Sequence, residues 1–91
     1  MEFNSLISWA EFNLKNDNVT LIRMGIKDTK ISKVRNMLKE GIIPRCKIIL
    51  ADEEKKKKYV DEIESFIKQL KTYGLNHEQS SPLPVKTNEK P

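Results

Sequence analysis

The chain has 91 residues, 17 of them lysine or arginine and 13 aspartate or glutamate, for a formal charge of +4 at pH 7. That length allows one small domain with a modest core, so pairing with a second copy is expected as an added source of stability. A single cysteine, Cys46, excludes an intramolecular disulfide and a cysteine-based metal site, and without an apolar run near the roughly 18 residues of a membrane span or a charged-then-apolar leader, the expectation is a cytoplasmic protein with no membrane partner.

Residues 3–14, FNSLISWAEFNL, predict the first helix. Phe3, Leu6, Ile7, Ala10 and Leu14 share a face at helical spacing, and Trp9 and Phe12 widen it. Trp9 among such neighbours reads as core rather than as a base-stacking platform. The polar break Lys15-Asn16-Asp17-Asn18 follows, with Asp17 or Asn18 as the cap of the next element. Val19 to Met24 then predicts a short helix with Leu21, Ile22 and Met24 available for packing. Its β-branched Val19, Thr20 and Ile22 keep a strand as the competing reading. Met24-Gly25-Ile26-Lys27 is a tight turn, and Asp28-Thr29 open a second helix as N-terminal caps. Gly41 closes that helix in the left-handed conformation. On a 100° wheel Ile31, Val34, Met37 and Leu38 gather on one side. Thr29, Ser32, Lys33 and Asn36 stand opposite, with Lys39 near their edge.

This arrangement over residues 17–41 resembles the helix-turn-helix of phage-type repressors and, more loosely, of winged-helix regulators. Gly25 falls in the turn, Ile26 follows it, and Ile31 and Val34 pin the second helix on one face only, as a sharp reversal and a one-sided anchor require. Leu21 departs from the pattern, because those families place a small residue there. The resemblance implies a double-stranded DNA partner and a two-fold homodimer gripping two half-sites. It implies Thr29, Ser32, Lys33 and Asn36 facing bases in the major groove, where Asn suits adenine and Lys suits guanine acceptors. Lys27, Lys30, Arg35, Lys39, Arg45 and Lys47 are then expected on phosphates. The charge agrees: from Arg23 to Lys47 eight basic residues meet only Asp28 and Glu40, a surplus of six.

Beyond Gly41, Pro44 stops a continuing helix and biases Ile43 towards extended backbone. Cys46, Ile48 and Leu50 alternate, so the segment is either one short strand, at most a vestigial β wing, or a helical turn starting at Pro44. Asp52-Glu53-Glu54 place acid at the start of a long helix that runs to about Tyr73, with Gly74 ending it. Tyr59, Val60, Ile63, Phe66, Ile67, Leu70 and Tyr73 form its apolar stripe, which either caps the core or pairs with a second copy. The lysine run 55–58 is matched by acids along the same helix and reads as a solvated face. Residues 75–91 predict a disordered tail holding the only histidine, His77, and a short extended docking candidate, Ser81-Pro82-Leu83-Pro84.

The expected fold is therefore mainly α: a three- to four-helix domain over residues 1–74 with a helix-turn-helix and a long C-terminal helix, then the tail. No catalytic group, metal site or cofactor is expected. His77 sits apart, Cys46 lies among apolar residues, and the glycines stand singly at predicted helix boundaries rather than in a phosphate-cradling loop. The expected function is DNA binding, as a transcriptional regulator or accessory factor. The competing class is a helical adaptor or inhibitor that meets an acidic protein surface.

Overall fold

The computed structural model describes residues 2–77, and these form helices with no strand. Helix α1, Phe3–Lys15, starts where the Glu2 carboxylate accepts from the Ser5 N–H at 2.9 Å. It buries Phe3, Leu6, Trp9, Ala10 and Asn13, with Ile7 and Leu14 packed beside them. Phe12, expected to widen the apolar face, is instead 61% exposed. Helix α2, Asn18–Arg23, is capped by Asp17, whose carboxylate accepts from the Thr20 N–H at 2.8 Å. That bond holds the Asp17 carboxyl below its ordinary value. The cap decides between the two readings of Val19–Met24 in favour of a helix.

Leu21 is the one buried side chain of α2, and the turn explains why it is large. Gly25 takes φ +111°, its N–H donates to Ile22 O at 3.0 Å, and the Ile26 N–H donates to Leu21 O at 3.1 Å. This is a Schellman turn, in which the residue three before the cap and the one two after it form an apolar pair. Leu21 and Ile26 are both buried, so a small residue at 21 would leave the turn unanchored.

After the turn, one rod runs from residue 28 to 51. A 3-10 turn, Asp28–Lys30, leads into α3, Ile31–Asn36; a π-helical segment, Met37–Ile42, joins it to α4, Ile43–Ala51. Asp28 and Thr29 do not cap it, since no side-chain bond is made at its start. The expected stop at Gly41 and Pro44 is overturned, and of the two readings of the segment beyond, strand or helical turn, the structure takes the helical one. Gly41 is helical, and Gly25 and Gly74 are the glycines with positive φ. Pro44 brings no N–H to the ladder and would crowd the carbonyl four residues earlier. The π geometry absorbs this, with the Ile43 N–H reaching back five residues to Leu38 O. Arg45 Nη1 donates to the Glu40 carbonyl (3.3 Å), four residues before Pro44, and to the Gly41 carbonyl (3.1 Å). Gly41 is small for a packing reason: a Cβ there would meet the Phe66 ring at 3.0–3.1 Å.

A second 3-10 turn, Glu53–Lys55, follows Asp52, whose carboxylate accepts from the Glu54 N–H at 3.1 Å. It leads into α5, Lys56–Thr72. The stripe of α5 faces inward: Ile63 and Leu70 are fully buried, while Tyr59, Val60, Phe66, Ile67 and Tyr73 pack at the core's edge. The stripe thus packs against the core of its own chain. The end of α5 repeats the Schellman pattern, Gly74 N–H to Lys71 O at 3.1 Å and Leu75 N–H to Leu70 O at 2.9 Å, with Leu70 and Leu75 buried. The ordered domain extends beyond 74, because Leu75 is core and the His77 ring stands edge-on to Trp9 with centroids 4.9 Å apart. The remainder of the tail, including Ser81-Pro82-Leu83-Pro84, lies outside the described residues.

The two glycine turns lie against each other. A Cβ on Gly74 would stand 2.8 Å from the Gly25 carbonyl carbon and closer still to its oxygen, whereas one on Gly25 meets nothing nearer than Gly74 O at 3.9 Å. Gly25→Ala is therefore expected to cost only the conformational penalty, about 1–2 kcal/mol. Gly74→Ala adds a backbone collision and should cost about 3 kcal/mol or more. Urea unfolding of the two variants checks the order, and equal losses would contradict the contact.

Candidate nucleic-acid interface

Ile31 and Val34 are buried and fix one side of α3, leaving the other side to solvent. Ser32, Lys33 and Asn36 are exposed there, and Thr29 is exposed in the 3-10 turn just before. The structure thus brings the four expected base-facing residues to one outer surface at the start of the rod. Lys27 and Lys39 are exposed beside them, and Lys30 is half-buried at their edge. Lys47 is exposed but belongs to α4, beyond the π segment. Among the described residues none of these five lysines has an ion-pair partner.

The two arginines of the expected phosphate set are engaged within the fold. Arg35 Nη1 donates to Leu14 O at 3.0 Å, and Nη2 donates to Asn16 O and Asn18 Oδ1, each at 2.8 Å. Its guanidinium ties the end of α1, where helix carbonyls lack partners, to the start of α2. Arg45 Nε donates to Glu62 Oε1 at 2.7 Å, its Nη1 donates to the carbonyls of Glu40 and Gly41, and its Cζ lies over the Phe66 ring, 5.0 Å from the centroid. One sequence signal foreshadows Arg35. At 100° per residue it falls about 40° from Ile31, on the apolar side of the wheel. Arg45 has no such signal, because the π segment that positions it is invisible to a regular wheel.

A residue that sequence reasoning assigned only to the stripe joins this surface. Tyr73, the last residue of the α5 turn before Gly74, has Lys30 Nζ and Lys33 Nζ each 5.6 Å from its ring centroid. The glycine contact places it there, since Gly74 touches the turn from which Lys27 and Lys30 follow.

Other chemistry is sparse. Burial pushes the Cys46 thiol up to about 11, so it stays protonated and poorly nucleophilic near neutral pH. Among the described residues no group of three or more His, Cys, Asp or Glu is placed to hold a metal ion, and no helix is long and apolar enough to cross a membrane. An open recess of about 410 Å³ between Phe3, Ile49, Leu50, Glu53 and Lys56 carries one acid and one base, with no converging polar groups. Comparison of the chain with family models, with curated proteins and with solved structures finds no match.

The Arg35 geometry distinguishes a structural cation from a surface one. Arg35→Ala should lower stability by about 2 kcal/mol, the scale of charge-assisted bonds to part-buried carbonyls. Arg35→Lys keeps the charge but not the fork, and should lose most of the same stability. Denaturant midpoints measure both, and full rescue by lysine would argue against the carbonyl clamp.

Proposed function

We propose that the protein binds double-stranded DNA through the outer face of α3 and the 3-10 turn before it, as a transcriptional regulator or DNA-binding accessory factor. One observation carries this reading. Thr29, Ser32, Lys33 and Asn36 lie exposed on a helix anchored by its opposite face, bordered by lysines without ion-pair partners among the described residues. Short polar side chains with free donors and acceptors suit base edges, and unpaired lysines suit the phosphates that border a groove. Lys27, Lys30, Lys39 and Lys47 form the phosphate set. Arg35 and Arg45 leave it, because their donors already meet carbonyls and a carboxylate. The reading holds for one copy of the chain or for two, and of the α5 stripe Tyr73 borders the face.

A second reading has its own observation. Phe12 (61% exposed), Val19 (57%), Ile22 (45%) and Met24 (38%) leave apolar groups on the outer sides of α1, α2 and the turn. Exposed apolar side chains, with Ile48 and Leu50 of α4 among them, suit a protein partner, as in a helical adaptor or inhibitor.

Fluorescence anisotropy on random duplex DNA at several salt concentrations separates the two. Binding that weakens steeply with salt supports the first, and no binding at low salt turns the choice to the second. On a selected target site, Asn36→Ala should relax preference at one base pair by about 1–3 kcal/mol. Lys39→Ala should weaken all sequences alike and reduce the salt slope by about one. Equal losses for both variants on every sequence would contradict this docking.

A further inference from the structure

We propose that Lys30, Lys33 and Tyr73 act together as a clamp for the phosphodiester backbone of duplex DNA, so that the end of α5 belongs to the nucleic-acid face. The proposal rests on the DNA-binding reading above, adds a second structural element to it, and moves Lys33 from the base-facing set to the phosphate set, because its ammonium lies by the Tyr73 ring. Lys30 and Lys33 are three residues apart at the start of the rod, so their stems leave on the same side. Both ammonium groups converge on one aromatic ring, 5.6 Å from its centroid. Two like charges beside one ring repel each other, and no carboxylate among the described residues pairs with either. The negative face of the ring supplies part of the missing attraction, and an anion supplies the remainder.

The main chain that carries the ring is held by hydrogen bonds and by the glycine contact. The Tyr73 N–H bonds to Gln69 O at 3.2 Å and to Leu70 O at 3.0 Å. The next residue, Gly74, rests against Gly25 in the turn that leads to Lys27 and Lys30. Lysine stems are flexible, and holding two of them over a fixed ring removes rotamers that phosphate binding would otherwise have to freeze. The backbone is the favoured anion because the clamp borders Ser32 and Asn36 on the exposed face of α3. Phosphates flank the groove in which such a face would lie.

The test compares the full chain with Lys30→Ala/Lys33→Ala, Tyr73→Leu, Tyr73→Phe and the control Lys56→Ala/Lys58→Ala. The control also removes two lysines that sit over rings, those of Phe3 and Tyr59, but away from this face. Anisotropy titrations on duplex DNA between 50 and 200 mM salt give Kd and its salt slope. The clamp predicts that Lys30→Ala/Lys33→Ala lowers the slope by about two, so that the variant loses about tenfold less affinity than wild type across that range. The control pair should keep the wild-type slope. Tyr73→Leu should weaken binding severalfold at an unchanged slope, and Tyr73→Phe, which keeps the ring, should restore most of that loss. If wild type binds with a steep slope and the Lys30/Lys33 variant behaves like the control, the clamp is wrong and the DNA reading stands. If wild type does not bind at low salt, both fall together.

Discussion

A proline in the middle of a helix leaves a hole in the hydrogen-bond ladder, and this fold is arranged around filling one. At Pro44 the missing donor leaves one carbonyl of the preceding turn without its usual partner, and a regular α-helix offers no replacement. The π segment lengthens the reach of the Ile43 N–H, and the Arg45 guanidinium supplies the donors still wanted. Its other side is held by Glu62 and by the ring of Phe66, and that ring in turn rests on Gly41. One small neighbourhood therefore keeps the rod continuous and attaches α5 to it. The result is that Met37, Leu38, Gly41 and Ile42 of the π segment are all buried, in a wider helix turn that meets both α1 and α5.

The chemistry of the two basic side chains explains how a surplus of cations is divided. A guanidinium presents several donors in a fixed plane and can satisfy two or three carbonyls at once. Arg35 and Arg45 do this at the places where helices end or are interrupted. An ammonium is a compact, strongly hydrated charge on a flexible stem, and the lysines of the same segment stay at the surface. The basic stretch from Arg23 to Lys47 is thus two populations, one structural and one facing solvent.

Much of the architecture is legible from local pattern, because it depends on local physics. The spacing of Phe3, Leu6 and Ala10 marks α1, Gly25 and Gly74 mark turns that only positive φ can make, and the stripe from Tyr59 to Tyr73 marks α5. The one-sided character of α3 is equally visible in Ile31 and Val34 against Ser32, Lys33 and Asn36. What escapes is anything whose cause lies far along the chain. Gly41 has the composition of a helix stop, yet its meaning is set by Phe66, 25 positions on. Arg35 has the charge of a surface residue, yet its partners are carbonyls 19 and 21 positions away. Tyr73 fits the stripe by period, and only the meeting of two turns reveals that its ring also receives two lysines.

The contact between Gly25 and Gly74 joins the two glycine turns in a mechanical sense. Packed side chains can change rotamer and absorb a small displacement, as a cushion does. Here main chain bears on main chain, with hydrogen-bonded turns on both sides and no side chain between them. Such a joint has fewer ways to yield than packed side chains do. The last turn of α5 therefore bears directly on the turn that leads into α3.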